Sequence, residues 1–321
     1  ENGTVIDLTS DPDYMAEQLK HFTPENRNGF IAYIHEVARM YEIAEEHYFE
    51  NPLFDWSDFF SFKWMKTFLS FHPFQSMDSF HRRYFDDARL LAMMNRYATY
   101  VGSSPYQTPA FLTFFAYLEM VQGVYYVEGG NYRLIEALER LAKSLGVQIY
   151  KQAEVERILL DEDQVIGVEA MQQKWEADFV ISNVDMRTVQ EKFLGKQVQK
   201  LETSPRSFSG FLCLFAVDRR YEHLHHHNFF YPSNHARHYV DIFEHHEWSL
   251  SPTIHVCFSG YSEKKRAGKG SNLAVFVSVP AREEHEAHKD TFERYYQYRD
   301  NIVYWLENNW GFQGLDDAII F

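Results

Sequence analysis

Apolar residues recur at helical spacing between residues 134 and 145. The spacing places six side chains on one stripe of a helix: Leu134, Ala137, Leu138, Leu141, Ala142 and Leu145. Gly129 and Gly130 come just before it, where the backbone can turn sharply or approach a ligand closely. Lys143 and Gly146 have the composition of a helix end. We therefore predict a helix that follows a Gly-Gly corner and buries one apolar face.

Apolar and alternating runs on both sides of this helix predict strands. One strand is expected at residues 123–128, another at 147–149, and a β-hairpin at 154–160 and 165–169. Phe179, Val180 and Ile181 form an apolar run typical of a buried parallel strand. Further strands near residues 208–217, 228–231, 253–259 and 273–279 predict an antiparallel or mixed sheet.

A helical block is predicted between residues 19 and 120, before the Gly-Gly corner. Thr23 and Pro24 form a typical helix start, and an apolar stripe follows them. Residues 51–74 contain nine aromatic side chains, among them Phe59, Phe62, Trp64 and Phe68. Such a segment packs within a protein core, lies at a membrane interface, or forms the wall of a tunnel for a long apolar ligand.

Composition narrows the function classes. The chain has 321 residues and a net charge of -15, which argues against nucleic acid and against broad binding to an acidic membrane surface. The two cysteines, Cys213 and Cys257, lie in apolar runs and are interpreted as thiols of a reducing compartment rather than a disulfide or metal pair.

Histidines are the densest candidate metal ligands, with nine of the 16 between His223 and His255. Residues 225–227 and 245–246 could ligate a metal, but adjacent residues on a strand point to opposite faces. We therefore predict no metal site. Three scattered carboxylates have no visible partners in the sequence and are interpreted as structural or solvated: Glu36, Glu119 and Glu128.

Several short motifs follow one another in order between Tyr100 and Asp185. They read YVGSSPYQTPAFLTF, GVYYVEGGNYRLIEALERLAKSLGV, VERI, VIGVE and ADFVISNVD. In these motifs the chain resembles the phytoene desaturase-type carotenoid oxidoreductases, which belong to the FAD-dependent amine oxidase-like flavoproteins. The similarity extends more loosely over nearly the whole chain, although Asn131 stands where the family usually has Met.

The resemblance implies FAD as the cofactor and assigns four positions to it. Gly129 and Gly130 match a motif that runs close to the cofactor, and Val155 matches a position whose backbone contacts the adenine ring. Asn183 lies in the turn after the apolar run and faces the cofactor by the same resemblance. From the residues alone, a Gly-Gly corner is more often a tight turn, and Val155 is an ordinary strand residue.

The expected fold class is mixed α+β and α/β, with a partial FAD-binding layer and a substrate domain of a mixed β-sheet covered by helices. Residues 1–20 and 121–205 are assigned to the FAD-binding part, with 1–20 alternatively a strand of the substrate domain. Residues 21–120 and 206–321 are assigned to the substrate domain. No G-x-G-x-x-G fingerprint follows an N-terminal strand, so we interpret the chain as an internal fragment. We expect this fragment alone to lack FAD and activity.

The resemblance also implies a function in carotenoid biosynthesis. The expected reaction is desaturation or isomerisation of a polyene such as phytoene or dehydrosqualene, with hydride transfer to the flavin. Phe59, Phe62, Trp64 and Phe68 are then expected to line the substrate tunnel. The expected setting is cytoplasmic and peripheral to a membrane, with homo-oligomers as a further expectation. No catalytic residue is named. The alternative is a non-catalytic module that docks to a membrane or dimerises.

Overall fold

The computed structural model describes residues 4–19, 22–46, 69, 71–196, 206–266, 268–281 and 288–321. The chain divides into two compact units. The first unit combines Glu1–Tyr126 with Ser207–Phe321, and the second is Val127–Arg206. The expected mixture of helices and sheets is confirmed. The assignment of sequence ranges to a cofactor domain and a substrate domain stays a prediction.

Helices form the first layer of the first unit. Helix α1 spans Pro12–Gln18, α2 spans Pro24–Ala44, α3 spans Met77–His81 and α4 spans Ala88–Asn95. Single helical turns follow at Arg96–Val101, Ala110–Phe114, Phe115–Tyr117 and Leu118–Gln122. The predicted start of α2 is confirmed, because the Thr23 side chain accepts a hydrogen bond from the Asn26 N–H.

Close approach of the backbones in this layer requires one particular glycine. A Cβ atom at Gly29 of α2 would lie 1.9 Å from the carbonyl oxygen of Tyr84. The glycine therefore lets α2 press against the turn after α3. Fully buried side chains, among them Tyr33, Phe80 and Met94, fill the space between these helices.

The second unit contains helix α5, Tyr132–Ser144, and a three-stranded antiparallel sheet. Its strands are β1, Val155–Asp161, β2, Gln164–Ala170, and β3, Gln173–Glu176. The predicted hairpin is confirmed as β1 and β2, and β3 extends it to a meander. Short helical turns follow at Met186–Thr188 and Val189–Phe193.

Two expectations for the second unit and the stretch before it are wrong. Helix α5 has no buried residue, and Leu138 on its apolar stripe is 53% exposed. Among the described residues, 123–128, 147–149 and 179–181 form no strand, and Ile181 is 97% exposed. A buried parallel strand needs strands on its edges and cover on both faces. The described part of the second unit supplies only a small antiparallel meander.

The second layer of the first unit is a four-stranded sheet in the order β4-β7-β6-β5. The strands are β4, Ser209–Val217, β5, His227–Phe230, β6, Ile254–Phe258, and β7, Ser271–Val279. Every neighbouring pair is antiparallel, so the sheet is antiparallel and not mixed, which were the two expected alternatives. Other elements of this region are helix α6, His235–Val240, and turns at Asp241–His245 and Lys264–Arg266.

One face of this sheet forms a core with the C-terminal helices. Helix α7 spans His288–Asn309, and α8 spans Leu315–Ala318. Ile302 and Leu306 of α7 share a buried cluster with Val256 and Val275 of the sheet. The alternation of strand residues therefore turns the neighbouring positions toward the opposite face.

Candidate functional site

The face of the four-stranded sheet that points away from α7 carries two cross-strand rows. Residues directly opposite one another on neighbouring strands project from the same face. The first row is Leu212, Phe276, His255 and Phe229, and the second row is Leu214, Ala274, Cys257 and His227. We name these eight residues the outer face. It is apolar at the β4 end and rich in histidine at the β5 end.

Exposure separates the outer face from the core face. Leu212 and Leu214 are 56% and 63% exposed, whereas Val256 and Val275 on the other side are fully buried. A Cβ atom at Gly210 would lie 2.3 Å from Cε2 of Phe276, so a glycine on β4 leaves room for that ring. Exposed aliphatic side chains on a sheet of this kind are suited to binding an apolar ligand.

A buried ion pair lies in the helical layer of the same unit. Arg96 begins the turn after α4, and Glu119 lies in the turn Leu118–Gln122. The Arg96 guanidinium donates to Glu119 Oε2, and its side chain is only 4% exposed. Tyr97 donates to the same carboxylate at 3.0 Å, and Tyr100 donates to its other oxygen. One carboxylate therefore accepts from a cation and two phenols.

The charge of Arg96 decides the ionisation of this cluster. Burial by itself raises the pKa of Glu119, but the Arg96 charge and the hydrogen bonds outweigh it, so the net pKa is lowered. Burial and the hydrogen bond to Glu119 raise the pKa of Tyr100 to about 12. At neutral pH the cluster therefore contains one cation, one anion and neutral phenols.

Aromatic contacts connect the ion pair to the outer face. The guanidinium carbon of Arg96 lies 4.4 Å from the ring centroid of Phe229. Phe229 stacks on His255 with a centroid distance of 4.3 Å and an interplanar angle of 7°. His255 Nε2 lies 3.1 Å from His227 Nδ1. Burial and the charges of His227 and Arg96 lower the pKa of His255 to about 4, so this imidazole is neutral at pH 7.

The arrangement can do two things chemically. The aliphatic and aromatic surface can hold an apolar chain, and the Arg96 guanidinium presents a fixed positive charge beside a π system. Glu119 balances this charge, and the rings of Tyr97 and Phe229 lie against the guanidinium. The sequence interpretation missed this site, because Arg96 and Glu119 are 23 positions apart and have no motif in common.

Glu36 is a second carboxylate whose partners could not be seen in the sequence. It accepts from Arg39 at 2.6 Å and lies 2.9 Å from His72 Nε2. The Arg39 hydrogen bond lowers the pKa of Glu36 to about 2, against the opposing effect of burial. Glu36 and Glu119 therefore have charged partners that the sequence does not reveal, which fits a structural interpretation, whereas Glu128 is exposed.

The four residues assigned to FAD lie in the second unit. Gly129 and Gly130 share a turn with φ angles of 84° and 86°, and the Gly130 N–H donates to the Val127 carbonyl at 2.8 Å. Val155 is the first residue of β1, opposite Ala170, and Asn183 is exposed in a loop.

The Gly-Gly corner fits a supporting role toward FAD. The left-handed φ angles favour glycine, and Asn131 at the start of α5 makes no side-chain capping bond. The N–H groups of Arg133 and Leu134 already donate to the Gly130 and Asn131 carbonyls, at 2.9 and 3.0 Å, so these two groups are not open to an anion. Whether the four positions contact FAD stays a prediction. Phe59, Phe62, Trp64 and Phe68, the predicted substrate-lining residues, lie outside the described residues.

Three possible metal ligands meet at the β5 edge of the sheet. One ligand atom from each of His226, His227 and Cys257 lies within 4.8 Å of the other two. The expectation that strand alternation separates adjacent histidines is wrong for His226 and His227, whose ring centroids lie 4.7 Å apart. A separate cleft of about 360 Å³ is lined partly by Arg82, Tyr106 and Phe243, and its volume is near the lower end of ligand pockets.

Comparison with known proteins decides the family. The family model described as flavin containing amine oxidoreductase matches residues 11–311. The chain belongs to this family. The predicted relationship to amine oxidase-like flavoproteins is therefore confirmed.

Curated relatives are carotenoid enzymes by name. The chain is 31% identical to a 4,4'-diapolycopene oxygenase from Methylomonas sp over 96% of this chain and 63% of that protein. It is 27% identical to a 1-hydroxycarotenoid 3,4-desaturase from Flavobacterium sp. (strain P99-3), over 87% of this chain and 58% of that one. It is 28% identical to a 4,4'-diaponeurosporene oxygenase from Staphylococcus haemolyticus (strain JCSC1435), over 100% and 64% respectively.

The chain spans about three fifths of the length of these relatives. Within its described residues, none of the helices combines the length and the apolar character needed to cross a bilayer.

Proposed function

We propose that this chain forms the substrate-binding region and part of the FAD domain of a flavoenzyme that oxidises an acyclic carotenoid polyene. The observation that carries the proposal is the outer face, where Leu212, Leu214 and Phe276 offer an apolar surface on a sheet whose other side is a closed core. The names of the curated relatives support the same substrate class.

The residues of this chain contribute binding and orientation rather than redox chemistry. FAD, when bound, supplies the hydride acceptor. The outer face holds the polyene in one orientation at its β4 end, where Leu212, Leu214 and Phe276 are apolar. Arg96 lies at the Phe229 end of the first row, where its guanidinium packs against that ring and holds its orientation.

The reaction we infer is removal of hydride from a saturated C–C unit beside the polyene, with loss of a proton to a base or water. Desaturation introduces a double bond, whereas an oxygenase reaction adds oxygen to the chain. This chain matches a relative named as an oxygenase and a relative named as a desaturase. Analysis of the reaction product is therefore needed to distinguish the two reactions.

The proposal is tested on the intact enzyme with FAD, phytoene and dehydrosqualene. Anaerobic mixing should bleach the flavin absorbance and shift the polyene absorbance to longer wavelength, if the enzyme desaturates. A product mass that gains oxygen only in the presence of O₂ identifies oxygenation instead. A well-folded intact protein that binds no flavin, or that leaves both polyenes unchanged, would overturn the proposal.

A matched pair of variants tests the outer face itself. Leu214→Ser should raise KM about tenfold, since roughly 1.5 kcal/mol of apolar contact is lost. Leu250 is a leucine of similar exposure, 73%, in a loop away from the strands, and Leu250→Ser should leave KM unchanged. Equal effects of the two substitutions would contradict the assignment of the polyene to this face.

A membrane-docking or dimerising module is the second candidate. It is supported by the apolar stripe of α5, on which Leu134, Leu138 and Leu141 are each more than half exposed. Flotation with neutral liposomes tests this candidate. The module is favoured if the intact protein binds liposomes but no flavin, and if Leu138→Ser and Leu141→Ser abolish the liposome binding. Concentration-dependent sedimentation tests dimers in the same samples. Peripheral membrane association and a cytoplasmic location remain part of the proposal for the enzyme.

A further inference from the structure

Donor atoms of three potential metal ligands converge at the edge of the four-stranded sheet. His227 is the first residue of β5, and Cys257 lies directly opposite it on β6, so both side chains project from the outer face. His226 precedes the strand, and its ring centroid lies 4.7 Å from that of His227. Its ligand atom lies within 4.8 Å of those of His227 and Cys257.

We propose that His226, His227 and Cys257 bind a divalent ion of the zinc class, with a fourth position open to water or a ligand. Two imidazole nitrogens and one thiolate are a donor set that zinc accepts in tetrahedral sites. Zinc–nitrogen bonds of about 2.1 Å and a zinc–sulfur bond of about 2.3 Å place the donors roughly 3.5 Å apart. Movements of about 1 Å from the present positions close the site, which side-chain rotation supplies.

Hydrogen bonds already orient both imidazoles. His226 Nδ1 lies 2.7 Å from the hydroxyl of Ser262, and His227 Nδ1 lies 3.1 Å from His255 Nε2. Each ring therefore keeps Nε2 for the metal. Metal-binding histidines almost always engage the second nitrogen in this way, because the bond fixes the tautomer and the ring orientation.

The ionisation of the ligands is compatible with binding at neutral pH. Burial lowers the pKa of both His226 and His227, so their rings are neutral and can donate a lone pair. Burial raises the pKa of the Cys257 thiol. Metal binding therefore releases the thiol proton to solvent as the sulfur–metal bond forms. No oxidation state changes in this step.

Cobalt(II) is the probe for the test, because a thiolate ligand gives it a charge-transfer band in the near ultraviolet. The 321-residue chain, with its fold checked by circular dichroism, is titrated with CoCl₂ alone. We expect one equivalent of cobalt per chain, the charge-transfer band, and visible bands of tetrahedral intensity. ZnCl₂ should displace the cobalt with the same stoichiometry.

Variants assign the ligands. Cys257→Ser should abolish the charge-transfer band, whereas Cys213→Ser, at the other thiol of the chain, should retain it. His227→Ala should weaken cobalt binding at least tenfold, and His246→Asn should not, since asparagine tolerates the left-handed φ of 54° there. Ser262→Ala should weaken binding about 10- to 100-fold through loss of ring orientation.

The readouts do not depend on flavin or polyene, so they can fail independently of the proposed function. Cobalt binding without a charge-transfer band would show adventitious binding to surface histidines and would overturn the site. A band that persists in Cys257→Ser, or disappears in Cys213→Ser, would overturn it as well. If Cys257→Ser does not fold, the wild-type chain is alkylated with and without zinc. Bound zinc should slow the alkylation of Cys257 and leave the rate at Cys213 unchanged, and an unchanged rate at Cys257 would overturn the site.

Discussion

Removal of the Glu119 charge has a stability cost that can be worked out from the structure. Glu119→Gln keeps the shape of the side chain but leaves the Arg96 guanidinium, only 4% exposed, without its counter-ion. Breaking a fully buried ion pair costs about 3–5 kcal/mol. The Glu119 side chain is 19% exposed, so we expect the lower end, about 3 kcal/mol. That is a large part of a typical stability of roughly 5–15 kcal/mol.

Local hydrogen–deuterium exchange is the appropriate assay, because unfolding of a two-unit chain need not be two-state. Peptides covering residues 88–120 should lose protection by about 3 kcal/mol in Glu119→Gln. In Arg96→Met with Glu119→Leu, most of this loss should be recovered, since no charge is left buried. The matched control is Glu169→Gln, which removes the partner of Arg157, a residue 60% exposed, and should cost less than about 1 kcal/mol.

The pH dependence has a defined sign. The ion pair lowers the pKa of Glu119 in the folded state, so its stabilisation is complete above the unfolded-state value of about 4.3. It is lost as the pH falls through the folded-state pKa. A loss in Glu119→Gln below about 0.5 kcal/mol at pH 7, or strictly additive single variants, would refute the idea of a coupled buried pair.

Three further predictions concern packing, protonation and the surface of α5. Gly29→Ala should destabilise the first unit by about 1–3 kcal/mol, because its Cβ would lie 1.9 Å from the Tyr84 carbonyl oxygen. Hydrogen–deuterium exchange of peptides from α2 measures this loss. Burial lowers the pKa of His81 to about 4, so the unfolded state binds more protons and stability falls by about 3 kcal/mol between pH 6.5 and 4. Leu138→Gln should change stability by less than about 0.5 kcal/mol, whereas Leu306→Ala in the core should cost about 2–5 kcal/mol.

Controls for these three predictions use positions without comparable contacts. Gly268→Asn should be neutral, because a Cβ atom at this position would have no heavy atom within 4 Å and asparagine accepts the φ of 59°. His81→Gln should flatten the acid dependence, and His246→Asn should retain it. A Leu138→Gln cost comparable to that of Leu306→Ala would mean that the α5 face is covered in solution.

Local chemistry was predictable wherever neighbours in sequence determine it. Thr23 and Pro24 begin α2 as expected, because the cap is made by a residue three positions away. The β1–β2 hairpin was also predictable, since its turn and its alternating residues are contiguous. The motifs between Tyr100 and Asp185 were sufficient to indicate the flavoprotein family that the comparison confirms.

Burial was not predictable from periodicity. The stripe of α5 has the spacing of a buried face, but Leu138 and Leu141 remain more than half exposed. Periodicity specifies which side chains share a face and says nothing about whether another element covers that face. For the same reason the apolar run at 179–181 indicated a buried strand, although Phe179 is 88% exposed.

The amino-acid sequence by itself determined the family, the helix starts and the hairpin, because each depends on residues close together along the chain. Tertiary structure alone decided the outer face and the Arg96–Glu119 pair. Strand register aligned Leu212 with Phe276 and His255, and folding of the helical layer brought a cation and a carboxylate from separate turns into contact. Contacts between residues distant in sequence carry no local signature, so the site became visible only when the chain was folded.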